Sequence, residues 1–231
     1  MIDASVFRRV SLFADLEASE LQSLSQVASV RHYPANTPIL REGEAGDLFF
    51  VLVRGEVKVF VDSPDGREVV LTHLQAGNFF GEMALLEEET RSASVTALAE
   101  SELVVLSRND FLTVLAHDFD LTRKILKTLS ARLRRANDVI ESLALLDVGG
   151  RLAHYLIRLA DESGVAAVDG YFAVTRPTHQ EIANSIGATR ETVTRMLKQF
   201  EDRKLIKVKG HTVWIPEKTP PGAREEEWRR R

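Results

Sequence analysis

The chain has no cysteine among its 231 residues. This excludes disulfides, thiolate nucleophiles, iron–sulfur clusters and cysteine-ligated zinc together. Long apolar runs are also missing: the longest, residues 48–53, is six residues of LFFVLV, far below the roughly 20 that a membrane-spanning helix needs. Residues 1–10 carry arginines and no apolar stretch of the kind a leader requires. A cytoplasmic protein with no membrane partner is the expectation. The six histidines, His32, His73, His117, His154, His179 and His211, show no ligand spacing, and no Ser/His/Asp constellation emerges. Neither a metal, nor haem, nor an enzyme is expected.

The formal net charge of −4 is modest but unevenly distributed. Residues 1–110 hold 9 basic and 18 acidic side chains, whereas residues 176–214 hold 8 basic and 4 acidic ones. An acidic first half and a basic later segment predict different partners for the two. The length allows two domains, each with its own core.

Residues 11–30 read as helical, with Leu12, Leu16, Leu21, Leu24, Val27 and Ala28 on one side and Ser19/Gln22 as a capping box. From residue 33 to 107 the pattern changes to short runs rich in Val, Phe and Thr, at 39–40, 48–53, 56–61, 68–74, 92–98 and 102–106. Such spacing predicts an antiparallel sandwich or roll. Asp65-Gly66 marks a hairpin tip, and Gly43, Gly46, Gly55 and Gly77 are expected at turns needing positive φ.

Within this region, residues 80–95 read FGEMALLEEETRSASV. Gly81 allows close approach of a ligand to backbone, and the following helical turn offers amide groups that favour an anion. Arg91 is a suitable counter-charge, because its planar fork matches phosphate, and Ser92 adds donors. Glu82 repels phosphate, so it is better read as an acceptor for sugar hydroxyls, and phosphate plus sugar would mean a nucleotide; Gly-Glu and Arg-Ser pairs are also common in ordinary loops, which is the competing reading of these residues taken alone.

A helical stretch follows from about Asn109 to Leu146. Leu126, Leu129, Leu133, Ala136, Ile140 and Leu143 are spaced alternately three and four apart, as along a coiled-coil seam. A parallel homodimer is the expectation; packing on the chain's own roll is the alternative. Gly149-Gly150 is expected to be the hinge between domains. Beyond it come a helix to about Asp161, an exposed loop over 161–170, a strand over 171–175, and a capping box Thr178/Glu181 that opens a short helix. Ala183, Gly187, Val193 and Met196 fall at helix-turn-helix spacing, although a plain helical hairpin would share it. Arg190, Glu191 and Arg195 lie near the start of the second helix, where side chains can reach base edges: arginine to guanine, glutamate to cytosine. The competing reading is an exposed Glu191–Arg195 ion pair. A wing-like hairpin is expected over 205–208 and 212–215, turning at Lys209-Gly210.

Two resemblances add to this reading. The run Phe80, Gly81, Glu82, Met83, Ala84, Leu85, Leu86, then Arg91, Ser92, Ala93, Ser94, Val95 resembles the phosphate-binding cassette of cyclic-nucleotide-binding domains. By that resemblance Glu82 holds the ribose 2′-hydroxyl, while Arg91, Ser92 and the backbone at Gly81, Met83 and Ala84 hold the cyclic phosphate. The stretches LALLDVGGRLAHYLIRLA (143–160) and THQEIANSIGATRETVTRMLKQFEDRKLI (178–206) resemble the family of bacterial regulators that includes cyclic AMP receptor proteins and FNR.

The family resemblance, over residues 12–215, implies an α+β fold: an antiparallel, jelly-roll-like β-roll (1–108), a dimerisation helix (109–147), a winged helix-turn-helix (148–216) and a flexible tail (217–231), with Trp228 available to pack back. It implies that Arg190, Glu191 and Arg195 read a TGTGA-type half-site in double-stranded DNA, with Thr178, Gln180, Thr189, Thr192 and Lys198 on phosphates, and that RNA polymerase is a further partner. Where the family places adjacent Thr and Ser against adenine, this chain has Ala136 and Asn137. Cyclic AMP is the expected allosteric ligand, with cyclic GMP and cyclic di-GMP as alternatives. A ligand-independent regulator, a cupin-like enzyme and a nucleotide-binding interaction module are the competing functions.

Overall fold

The computed structural model describes residues 5–8, 10–13, 16–63, 68–167 and 170–216. The chain divides into two compact units, Met1–Arg132 and Leu133–Arg231, and each has its own core.

In the first unit, α1 (Ser5–Arg8), a 3-10 turn (Ser11–Phe13) and α2 (Ala18–Val27) precede eight strands. These are β1 (Ser29–Tyr33), β2 (Pro38–Leu40), β3 (Leu48–Arg54), β4 (Glu56–Asp62), β5 (Glu68–Gln75), β6 (Phe79–Phe80), β7 (Ser94–Ala97) and β8 (Ser101–Ser107), with α3 (Glu82–Glu87) between β6 and β7. They form two antiparallel sheets, β1-β8-β3-β6 and β2-β7-β4-β5, the roll that the short Val- and Phe-rich runs predict. Side chains alternate across β3. Phe49, Val51 and Val53 join the core that includes α2, while Phe50 and Leu52 join Val57, Leu74 and Val95 in a second core that unites residues of both sheets. A strand buried on both faces reads as an unbroken apolar run, which is why 48–53 is the longest in the chain.

Several local expectations are corrected. Residues 11–30 are not one helix: α2 ends at Val27 and β1 begins at Ser29. The Glu17 backbone N–H donates to Glu20 Oε2 at 2.7 Å, so Glu17 and Glu20 rather than Ser19 and Gln22 open α2. Strand β1 escaped notice because it carries no buried residue, which leaves no alternation to read. Gly43, Gly55 and Gly77 have positive φ, but Gly46 does not. Gly46 is required for space, since a Cβ there would lie 2.4 Å from Arg91 Nε. Asp65 and Gly66, the expected hairpin tip, and the 217–231 tail with Trp228 lie outside the described residues.

The helical stretch after the roll is two helices, α4 (Arg108–His117) and α5 (Phe119–Leu145). Asp118 separates them: its backbone is extended, and its Oδ1 accepts from the Leu121 N–H at 2.8 Å, capping a new helix start. Along α5, Leu121 and Ile125 are buried in the first unit's core. Leu126, Leu133, Ile140 and Leu143 are exposed, at 59%, 64%, 64% and 49%.

The second unit contains α6 (Val148–Ser163), β9 (Val165–Ala167), β10 (Tyr171–Thr175), α7 (His179–Ile186), α8 (Arg190–Asp202), β11 (Lys207–Lys209) and β12 (Thr212–Pro216), with sheet order β11-β12-β10-β9. Leu152, Leu156 and Ala160, one turn apart on α6, pack with Ile182, Ala183, Val193, Leu197 and Val213. The helix break falls at Leu146 and Asp147, not at the glycine pair. Asp147 Oδ1 accepts from the Gly150 N–H at 2.7 Å, so Gly149 and Gly150 lie inside the first turn of α6. Strand β9 occupies part of the expected 161–170 loop. The wing strand starts at Lys207, because Leu205 and Ile206 are buried in the core.

Candidate functional site

The chain enters the first site along β6, where two consecutive phenylalanines point to opposite faces. Phe80 stacks on Phe50 at 5.1 Å, while Phe79 lies 5.5 Å from Phe49 in the other core. With both anchored, the backbone leaves at Gly81 with φ +84°, where a Cβ would lie 2.9 Å from Arg91 Nη1 and 3.0 Å from the Leu48 carbonyl. Glycine is needed there for conformation and for space alike. Glu82 then begins α3 and is buried, as are Ala84 and Leu85, whereas Met83 is exposed.

Arg91 closes the opposite side. It is only 5% exposed, its Nη1 donates to the Gly81 carbonyl and its Nη2 to the Leu48 carbonyl, both at 2.9 Å. Its own backbone is held by the 41–46 loop: the Gly43 N–H donates to Arg91 O at 2.9 Å and the Arg91 N–H to Glu44 O at 2.8 Å. Two of five guanidinium N–H groups are thereby engaged with carbonyls, which leaves capacity for an anion. Ser92 is exposed beside Met83, its Oγ 3.5 Å from Sδ. Burial pushes the Arg91 guanidinium down from its ordinary value, opposed by the charges of Asp47 and Glu82. A buried acid and a buried base thus flank the Gly81 turn, and glycines at 46 and 81 keep the space a Cβ would fill. That donor and acceptor set fits a sugar phosphate.

A residue outside the sequence-based set completes this arrangement. Arg132 Nη1 donates to Glu82 Oε1 at 2.8 Å, Nη2 donates to the Phe79 carbonyl, and the guanidinium lies 4.6 Å from the Phe79 ring centroid. Burial raises the Glu82 carboxyl above its ordinary value, with Arg132 as the main opposing charge. A signal for Arg132 was available: Leu121, Ile125 and Leu129 pack on the first core, and Arg132 continues that stripe at i+3. Ala136 and Asn137 are exposed on α5 and belong to the second unit.

The second site lies on α7 and α8. Thr178 caps α7: its Oγ1 accepts from the Glu181 N–H at 3.2 Å, and Glu181 Oε2 accepts from the Thr178 N–H and hydroxyl, each at 2.7 Å. Gly187 takes the left-handed conformation that turns the chain, and Thr189 caps α8 by accepting from the Thr192 N–H at 3.2 Å. Val193, Leu197 and Phe200 are buried along one face of α8. Arg190, Glu191, Arg195 and Lys198 are therefore left on the exposed side. Gln180 is also exposed, its Nε2 donating to Asn184 Oδ1 at 2.8 Å. Ala183 and Val193 are fully buried where the helices cross, and Met196 packs beside them. Arg176 braces the wing, its Nη2 donating to the Gly210 carbonyl at 3.1 Å. Arg151 Nε donates to the Ile186 carbonyl at 2.8 Å and its Nη1 to the Leu146 carbonyl at 3.1 Å, tying the helix-turn-helix turn to the end of α5.

An antiparallel roll with a charged cradle at its α3 turn, then a long helix and a winged helix-turn-helix, defines a DNA-binding regulator built on a nucleotide-binding roll. Residues 30–118 match the cyclic nucleotide-binding domain family and residues 150–219 the Crp-like helix-turn-helix domain family. The chain belongs to the CRP/FNR family of transcription regulators. It is 32% identical over 211 residues to a CRP-like cAMP-activated global transcriptional regulator of Mycobacterium tuberculosis, covering 91% of this chain and 94% of that protein. It is 35% identical over 188 residues to the cAMP-activated global transcriptional regulator CRP of Pasteurella multocida, covering 80% and 89%. Among solved structures it is similar to the c-di-GMP responsive global regulator CLP of Xanthomonas campestris, with TM-score 0.73, 26% identity and coverage of 88% and 100%. Among the described residues, no helix is long and apolar enough to cross a membrane.

Proposed function

We propose that the protein is a homodimeric, cytoplasmic regulator that binds cyclic AMP in the roll and a TGTGA-like palindrome through α8, and acts on transcription together with RNA polymerase. The observation that carries the ligand half is the burial of Glu82 and Arg91 about the Gly81 turn. Glu82 accepts the ribose 2′-hydroxyl, and Arg91, Ser92 and the backbone of Gly81, Met83 and Ala84 hold the phosphate. Asn137, able to donate and accept, meets the base alongside Ala136. The exposed seam on α5 (Leu126, Leu133, Ile140, Leu143) pairs with that of a second copy, since apolar residues at that spacing favour burial between helices. The roll occupies residues 1–108, the dimerisation segment 109–147 and the DNA-binding domain 148–216.

On DNA, Arg190, Glu191 and Arg195 contact base edges, while Thr178, Gln180, Thr189, Thr192 and Lys198 lie against phosphates. For cyclic AMP to act as a switch it must bind the DNA-competent arrangement more tightly than the other. A second reading, response to cyclic di-GMP, is favoured by the missing hydroxyl at Ala136 and by the likeness to CLP. Fluorescence anisotropy of a duplex carrying TGTGA and its inverted repeat, at fixed salt, distinguishes them. Tightening by tenfold or more with cyclic AMP supports the first reading, and tightening only with cyclic di-GMP supports the second. Absence of preference for this duplex under every condition overturns the assignment of Arg190, Glu191 and Arg195.

A further inference from the structure

His179 is the first residue of α7 and is half-buried, between Thr178 and Gln180. Its Nδ1 lies 2.7 Å from Thr194 Oγ1, on the exposed side of α8. The Thr194 hydroxyl, which has a single proton, donates it to the Arg190 carbonyl at 2.9 Å. Thr194 Oγ1 therefore faces His179 with a lone pair, and the proton in that contact belongs to Nδ1. This network assigns the tautomer. In the neutral ring Nδ1 donates and Nε2 is left as a bare acceptor.

The consequence follows from what a phosphate oxygen accepts. Against a neutral ring, Nε2 and the phosphate are both acceptors and repel; against a protonated ring, Nε2 is a charged donor. The ring stands where α7's first turn and the α8 face meet, and the Arg176 and Arg190 charges both bear on it. The acid on its own helix nearest to it, Glu181, is engaged by the Thr178 N–H and hydroxyl. Thr178 and Gln180, on either side, are the residues assigned to phosphates above.

We propose that His179 is a proton-linked DNA contact, whose Nε2 donates to a backbone phosphate only when protonated, so that operator binding takes up a proton at each subunit. This rests on the DNA-binding reading of α7 and α8. Burial, and then the charges of Arg176 and Arg190, hold the His179 ring below its ordinary value in the free protein. A phosphate brought against it acts in the opposite direction. The ring is thus neutral in free protein at neutral pH and is charged by the DNA, which makes affinity rise as pH falls.

The test is duplex affinity by anisotropy at fixed salt, between about pH 5.5 and 8.5, for wild type, His179→Asn, His179→Arg and, as a control in the wing turn, His211→Asn. Wild type and His211→Asn are expected to bind roughly tenfold more tightly at the acid end. His179→Asn, which keeps a donor to Thr194, is expected to stay at the alkaline affinity throughout, and His179→Arg at the acid affinity. A wild type with pH-independent affinity, or a His179→Asn variant that keeps the wild-type slope, overturns the inference while leaving DNA binding intact. Failure of every variant to bind any duplex at any pH overturns the inference and the DNA reading together.

Discussion

Arg132 holds Glu82: Nη1 donates to Oε1 at 2.8 Å while the guanidinium lies 4.6 Å from the Phe79 ring centroid. The carboxylate that the proposed function assigns to a sugar hydroxyl is thus already paired with α5. A carboxylate accepts up to about four hydrogen bonds, so the pair and a ligand hydroxyl are compatible.

Replacing Arg132 with Gln should destabilise the first unit by about 2–3 kcal/mol at neutral pH, because it leaves a buried carboxylate without its partner. The sign with pH follows from Glu82, whose carboxyl is raised in the folded state by burial. Ionised Glu82 is a cost that sets in as pH rises through that raised value and is absent below the ordinary carboxylate range. Losing Arg132 raises the carboxyl further. The gap between wild type and Arg132→Gln, measured as urea midpoints, should therefore widen from acid to neutral pH, and a gap independent of pH would contradict the pairing.

Arg91→Lys should weaken cyclic AMP binding at least tenfold, since a point charge cannot reproduce the planar fork. Gly46→Ala should do the same without touching a charge, because its Cβ would lie 2.4 Å from Arg91 Nε. Titration calorimetry measures both; unchanged affinity in either would place the phosphate elsewhere.

Leu133→Glu and Ile140→Glu, at positions each 64% exposed, should shift the protein from dimer to monomer in sedimentation equilibrium, because each would bury a charge in an apolar seam. A dimer that persists in the double variant would place the interface away from α5.

Arg195→Ala should cost about 1–3 kcal/mol in operator binding and relax preference at one position of the half-site, whereas Lys198→Ala should weaken binding to all sequences alike and lower the salt slope by about one. Anisotropy over a set of single-base variants of the duplex, at two salt concentrations, separates base contact from phosphate contact.

Most of the elements were legible because their signals are local. The strands around β3 and β8 announce themselves by β-branched and aromatic runs between turn residues. Thr178/Glu181 and Gly187 set the bounds of α7 by chemistry within a few residues. The misreadings have more than one cause. Edge strand β1 and the two-residue β6 owe their existence to a partner distant in sequence, Ser29 to Val105 and Phe50 to Phe80, whereas β9 pairs with its neighbour β10, Ala166 to Phe172, in a stretch whose Gly164 and Gly170 read as loop. Asp118 breaks a helix through a cap that composition alone does not distinguish from an exposed acid.

The sequence by itself determined the roll, the long helix and the helix-turn-helix, because propensity, periodicity and capping act over a few residues. Only the tertiary structure decided that Arg132 reaches Glu82, that Gly46 serves to admit Arg91, and that His179 Nδ1 meets Thr194 Oγ1. Those depend on which side chains converge from separate segments, with Glu82 and Arg132 50 residues apart. Distances of a few ångströms between such groups, and the burial that strengthens their charges, are properties of the packed chain alone.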